Sequence, residues 1–326
     1  MDKIVKYYMA PLESVTTWIY RQAHAKIYGR LDKYFIPFLE PHEKRDFKTR
    51  ELQEILPEHN ENIYAVPQIL TNRSEGFIKL AKALKDWGYE EVNLNLGCPS
   101  KTVVTKGKGS GFLAKPEELE RFLTEIFDAL SGEVKISVKT RIGKEDPEEF
   151  PALLELFNKY PMEELIIHPR IQKDFYKYTP RMECYRTAYE TSRHSLCYNG
   201  DLFSTADFQK LCHDFPLTEK VMLGRGVLQN PWLIGMLRST DPASSENLAP
   251  ADKELLRAFC EDLCAGYARV ISGDKNVLFK LKALWIYLGT SFTNPQKYLK
   301  KIKKANRLAE YEEAVDSLFR EQELIF

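Results

Sequence analysis

Short apolar segments recur along the first two-thirds of the chain, at 7–11, 34–38, 63–69, 91–97, 134–141, 164–170, 195–201 and 220–226. Most are continuous apolar runs, the pattern of parallel strands covered on both faces. Helical periodicity fills most of the gaps. Phe77, Leu80, Ala81 and Leu84 mark one face of a helix that Gly88 can stop. Pro116 suits a first helical turn, and Leu119, Phe122, Leu123, Ile126 and Leu130 form the stripe behind it, with Gly132 as the stop. Further helices are expected at 146–160, 183–193, 205–215 and 231–238, and only 40–58 reads as irregular. Eight such units predict an α/β fold, a (β/α)8 barrel. A doubly wound sheet is the competitor, but no glycine fingerprint follows the first strand.

Residues 239–251, rich in Ser, Pro and Ala, carry no periodicity and read as a boundary. It divides a barrel, 1–240, from a helical domain, 250–326. Helices over roughly 252–271, 275–288, 295–308 and 310–324 predict a small bundle.

Composition narrows the function classes. The 326 residues carry 47 basic and 47 acidic side chains, so a nucleic-acid partner must be argued from a local cluster. No apolar run reaches membrane-span length, and Asp2, Lys3 and Lys6 break any N-terminal signal core. A cytoplasmic protein with no membrane partner is expected. The six cysteines form no CxxC pair, so free thiols and no metal site are expected.

In a barrel of this kind, chemistry gathers where strands end. There the sequence places Gln68, Asn93, Asn95, Cys98, Lys139, Arg141, His168, Arg170, Asn199, Asp201 and Arg225. Polar residues at nearly every strand, all at one end, favour a site over ordinary polar caps. The last two strands close in Asn199-Gly200-Asp201 and Gly224-Arg225-Gly226, the second running toward a helix expected to open at Asn230-Pro231. Glycine turns, a helix start and an arginine make a phosphate site. Gly107, Gly109 and Gly111 do not fit GxGxxG and read as a mobile lid.

Together these residues resemble the tRNA-dihydrouridine synthases, in the bacterial, FMN-dependent form. The run NLNLGCPSKTV followed by GKGSGFL looks like the family signature, and MAPLESVTT resembles its opening turn. Gln68, KTR at 139–141, HPR at 168–170, NGD at 199–201 and GRG with NPW at 224–232 follow in the family's order. Leu12, Glu13-Ser14 and Pro169 depart from the usual residues.

The resemblance implies an oxidoreductase that holds FMN, takes electrons from NADPH or NADH, and reduces a uridine of the tRNA D-loop to 5,6-dihydrouridine. Pro11, Leu12, Glu13, Gln68, Lys139, His168, Asn199, Gly200, Asp201, Gly224 and Arg225 would hold the cofactor. Asn95, Arg141 and Arg170 would meet the substrate. Cys98 would donate the proton to uracil carbon 5, since a thiol is protonated at neutral pH yet within reach of transfer.

Residues 275–309 hold nine basic side chains and no acidic one. Lys297, Lys300, Lys301 and Lys304 share one helical face at i, i+3, i+4 and i+7. A solvated face normally mixes signs, so this stripe is expected to bind tRNA phosphates. Two other function classes compete. A small-molecule FMN pyrimidine dehydrogenase of the dihydroorotate type would act on free pyrimidines. A non-catalytic tRNA-binding barrel would hold no flavin.

Overall fold

The computed structural model describes residues 5–239 and 252–325. Eight parallel strands close into one barrel in sequence order. They are β1 (Lys6–Met9), β2 (Lys33–Leu39), β3 (Ala65–Ile69), β4 (Glu91–Leu96), β5 (Lys135–Arg141), β6 (Leu165–His168), β7 (Leu196–Tyr198) and β8 (Lys220–Leu223). Around them run α1 (Trp18–Tyr28), α2 (Thr49–Ile55), α3 (Ser74–Asp86), α4 (Lys101–Val104), α5 (Pro116–Ala129), α6 (Phe150–Phe157), α7 (Met182–Thr191), α8 (Thr205–Asp214), α9 (Arg225–Gln229) and α10 (Leu233–Ser239). The tail adds α11 (Lys253–Val270), α12 (Asp274–Leu288), α13 (Gln296–Lys304) and α14 (Leu308–Glu321).

All eight expected strands form, and α3 and α5 end shortly before Gly88 and Gly132. The segment read as irregular contains α2, which Glu51 starts by accepting the Lys48 amide at 2.7 Å. The helix expected at 231–238 forms as α10, beginning at Leu233, and a further short helix, α9, precedes it, opening at Arg225 directly after β8. Asn230 follows that helix and turns the chain by accepting the Trp232 amide at 3.0 Å. The boundary expected at 239–251 falls, from 240 onward, outside the described residues.

Alternation along each strand sends every second residue into the barrel. The apolar ones, Tyr8, Ala10, Phe35, Val66, Ile166, Cys197 and Met222, make a small cluster of their own. The larger core lies outside it, between strands and helices, and runs on into the tail. Phe259 of α11 packs edge-on against Tyr20 and Tyr28 of α1, at 5.4 and 5.3 Å between ring centres. Thr17 and Tyr267 share a hydroxyl hydrogen bond of 2.7 Å, and Ser291 donates to the Gln229 carbonyl at 2.5 Å. No helix among the described residues is long and apolar enough to cross a membrane.

The N-terminal end of the barrel interior is sealed by charge. Lys33, Glu91, Glu164 and Lys220 come from the starts of the four even strands. Lys33 bonds Glu91 at 2.6 Å and Glu164 at 2.7 Å, and Lys220 bonds Glu164 at 3.1 Å. The Tyr8 hydroxyl also donates to Glu164, at 3.1 Å. Both carboxylate side chains are fully buried. Removing one member of such a set strands the others without compensation. Glu164→Ala is therefore expected to destabilise the fold by about 3–5 kcal/mol, read from the midpoint of urea unfolding; an unchanged midpoint would show that this layer carries no stability.

Candidate active site at the open end of the barrel

Two adjoining clefts open where the strands end. They share Pro11, Leu12, Lys139, His168 and Tyr176. The first continues to Asn199, Gly200, Asp201, Gly224 and Arg225. The second continues to Glu13, Gln68, Asn95, Cys98 and Arg141.

A chain of amides fixes the polar wall. The Asn95 Oδ1 accepts the backbone N–H groups of Gly97 and Cys98, at 3.0 and 2.9 Å. A backbone N–H can only donate, so this sets the orientation of the Asn95 amide. Its Nδ2 must then donate to Gln68 Oε1, at 2.6 Å. Gln68 Nε2 donates to Asn93 Oδ1 at 2.8 Å, and Asn93 Nδ2 to Ser137 Oγ at 2.9 Å. Each link orients the next. Each amide nitrogen keeps one further N–H and Gln68 Oε1 one further lone pair, so the pair can meet a ligand edge that carries both acceptors and donors.

Cys98 stands at the mouth of this wall. Burial raises its thiol above the ordinary value and the Glu13 carboxylate adds to the effect, against smaller opposing pulls from the Ser100 amide, Arg141 and Lys139. The group is a neutral thiol at pH 7. The glycine-rich loop expected to be a mobile lid is instead a brace. Residues 109–113 are buried, and Ser110 donates to the Cys98 carbonyl through both its amide, at 3.2 Å, and its hydroxyl, at 2.8 Å. Gly109 sits at φ +55, and a Cβ there would lie 2.9 Å from the Cys98 carbonyl oxygen. Only glycine lets the loop approach this closely.

Lys139 projects into both clefts, and no hydrogen bond or ion pair joins it to another described residue. Burial lowers its pKa from 10.5 to about 8, helped by Arg141. His168 is pushed well below its usual value by burial and by the surrounding cations Arg141, Lys139, Arg170 and Arg225. It is neutral, and its tautomer follows from geometry. Nε2 lies 2.9 Å from Arg170 Nη1, which can only donate, so the ring hydrogen is on Nδ1.

Arg170 does not line either cleft. It is buried behind the wall, holding His168, the Tyr178 carbonyl at 2.5 Å and the Asp201 carboxylate at 3.0 and 2.5 Å. Asp201 in turn grips Arg225 at 2.5 Å. Arg141 reaches the second cleft, yet its guanidinium is spent on backbone: Gly97 at 3.0 Å, and Ile171 and Phe175 at 2.8 Å each. At the glycine turn of the phosphate-like corner, a Cβ on Gly226 would lie 2.0 Å from the Leu202 carbonyl oxygen.

Comparison with known proteins adds the family. The dihydrouridine synthase (Dus) profile matches residues 8–323. The chain belongs to the dihydrouridine synthase family. Among similar dihydrouridine synthases is a probable tRNA-dihydrouridine synthase of Staphylococcus epidermidis, 28% identical over 69% of this chain and 70% of that one. Another, probable tRNA-dihydrouridine synthase 2 of Bacillus subtilis, is 27% identical with the same coverage. Solved structures with the same fold include histamine dehydrogenase from Rhizobium sp. 4-9 (TM-score 0.54, 9% identity, 79% of this chain and 49% of that one). A 2-naphthoyl-CoA reductase complex is also similar (TM-score 0.56, 9% identity, 73% and 50%). At such identities they show the barrel fold alone.

Within this dihydrouridine synthase, four aromatic residues that line the clefts escaped the strand-end reading: Phe38, Phe203, Tyr176 and Tyr287. Tyr176 lines both clefts from the loop after β6, with the Arg225 and Arg141 guanidiniums 4.6 and 5.4 Å from its ring centre. Its position in an aromatic and basic loop just beyond the 164–170 strand was the available signal. Tyr287, from α12, closes the second cleft from the tail, and nothing in the sequence links residue 287 to a strand end. Lys297, Lys300, Lys301 and Lys304 are exposed on α13 and line neither cleft.

Lys139 generates a pH-dependent expectation. The folded, ligand-free protein carries a buried cation without an anionic partner, and this cost is full below the lowered native pKa of about 8. It shrinks as the native ammonium deprotonates and is gone near 10.5, where the unfolded lysine deprotonates too. Lys139→Met should therefore stabilise the ligand-free protein at pH 7, and the gain should disappear between about pH 8 and 10.5. Urea unfolding across that range reads it, and a pH-independent difference would deny the unpaired cation.

Proposed function

We propose that this protein reduces a uridine in the D-loop of tRNA to 5,6-dihydrouridine, holding FMN and drawing electrons from NADPH or NADH. The observation that carries the reading is the neutral Cys98 thiol, braced on the wall of the cleft that Lys139, His168 and the Gln68 and Asn95 amides also line. Family membership and the names of the curated relatives point the same way.

The residues present fit a flavin. Lys139 offers an unpaired cation to the electron-rich edge of an isoalloxazine, and Gln68 offers an N–H to its carbonyl oxygens. Pro11, Leu12 and Glu13 form a turn closed by the Leu12 amide on Thr16 Oγ1 at 2.8 Å, which gives the ring a rigid edge. His168 presents its Nδ1 hydrogen to the ring or ribityl chain. Asn199, Gly200, Asp201, Gly224 and Arg225 hold the phosphate end, with Asp201 steering Arg225. Reduced FMN, when bound, supplies a hydride to carbon 6 of uracil. Cys98 would hold the proton that carbon 5 of the pyrimidine takes up together with that hydride. The raised pKa keeps that proton on sulfur until it is needed. Asn95 donates to a uracil carbonyl. Arg141 keeps the Cys98 loop and the Tyr176 loop in mutual register, and Arg170 acts on the cofactor side, through His168 and Asp201.

The exposed lysine face of α13 docks tRNA phosphates outside the cleft. Lys297 lies 3.7 Å from Glu321, a solvent-exposed pair that RNA phosphate can displace.

Two experiments test these roles. Cys98→Ala should remain yellow with FMN and still oxidise NADPH, yet lose about 10²–10⁴-fold in dihydrouridine formation on tRNA. Wild-type turnover by this variant would assign the proton to another group, and a protein that cannot be loaded with FMN would end the enzyme reading. Changing Lys297, Lys300, Lys301 and Lys304 to Gln should weaken tRNA binding and reduce the slope of log K against log salt by roughly 2–4, with flavin content unchanged. Parallel salt lines for variant and wild type would leave the stripe a merely solvated face.

A further inference from the structure

Helix α12 is apolar where an outward helix face is ordinarily polar. Its inner face already serves the core, with Val277, Leu278, Leu281, Leu284, Trp285 and Leu288 buried. Phe279 and Ile286 nevertheless stand 70% and 73% exposed. Seven residues apart, they lie on one face, about 10 Å from each other along the axis. Ala283, partly buried, lies between them. Beside Ile286 comes Tyr287, which lines the cleft together with Cys98. The helix that bears the stripe thus also walls the site, with Tyr287 about 100° round from Ile286. Lys275 and Lys280 flank it, and the helix after Asp274 has no acidic residue.

We infer that Phe279 and Ile286 form an apolar track for unstacked nucleobases of the same RNA whose target base enters the cleft. The inference rests on the tRNA reading above and adds a contact class to it. A uracil that reaches Cys98 must leave its stack, and its neighbours lose a stacking partner. An aromatic ring accepts any base face, and an aliphatic wedge fills the gap between steps. The flanking lysines meet phosphates in the same approach. A second copy of this chain is a poorer occupant. Its interface would have to enclose the flanking lysines, and lysine is depleted in protein interfaces.

The test uses the 326-residue chain loaded with FMN and an unmodified tRNA transcript. Phe279→Ser, Ile286→Ser, their double variant and Phe279→Trp are compared with wild type at several salt concentrations. Both side chains are exposed, so the fold is expected to persist, and flavin content and NADPH oxidation serve as controls. The double variant should bind tRNA about tenfold or more weakly at every salt concentration. The salt slope should be unchanged, because no phosphate contact is removed. Phe279→Trp should retain affinity. Unchanged affinity in the double variant overturns the track. So does a wild-type dimer that the double variant dissociates without loss of RNA affinity, since the stripe would then belong to a second copy. If wild type binds tRNA but forms no dihydrouridine, the function reading fails, while the track is still decided by the affinity comparison alone.

Discussion

An eight-stranded barrel has room inside for side chains and nothing else, so each level of inward-facing residues must be chemically complete. This constraint organises the whole molecule. At the bottom, two lysines and two glutamates from the even strands neutralise one another. In the middle, one side is apolar, through Tyr8, Phe35, Val66, Ile166, Cys197 and Met222. The other side is an amide chain running from Ser137 through Asn93 and Gln68 to Asn95. Only the uppermost levels are left open, and the inward residues there are the ones that line the clefts. The site is therefore the unfinished end of the barrel core, and its polar groups are held by a packed interior.

The direction of the amide chain has a chemical consequence. It begins at two backbone N–H groups, and this fixes every later link. If Asn95 were turned over, its oxygen would face Gln68 Oε1 and its Nδ2 would face two donors. The clash would propagate to Asn93 and Ser137, each of them buried. A rigid polar wall results, with the Cys98 loop as its first anchor and the glycine-rich brace as its second. Arg141 ties the same loop to the segment bearing Tyr176. The Cys98 loop is thus held by three separate elements, through Asn95, Ser110 and Arg141.

Much of this was legible in the sequence, for a definite reason. Parallel strands buried on both faces read as apolar runs, so a polar residue near the end of such a run stands out. Gln68, Asn95, Lys139, His168 and Asn199 were visible on that ground alone. Arg170 was visible too, but its depth was not. The strand-end rule says which end a residue occupies and cannot say whether it faces the cleft or supports a neighbour. The glycine loop misled for a related cause. Glycines mark both flexible chain and close approach, and only the surroundings distinguish them. Here Gly109 lies against the Cys98 carbonyl. Helix α2 was hidden because seven residues are too few for periodicity to emerge from a charged stretch.

The division between barrel and tail is less sharp chemically than in sequence. Tyr287 lies far beyond the last strand and still walls the cleft. Its helix reaches the barrel through contacts with α9, whose first residue is Arg225. Ser291, just past α12, holds the Gln229 carbonyl at the end of that same helix. The α9 segment therefore borders the phosphate-like corner on one side and the tail on the other. The element that carries Arg225 packs directly against the tail. The structure thus gives a macromolecular substrate a route to contact barrel and tail together, and this favours an RNA-bound uridine over a free base.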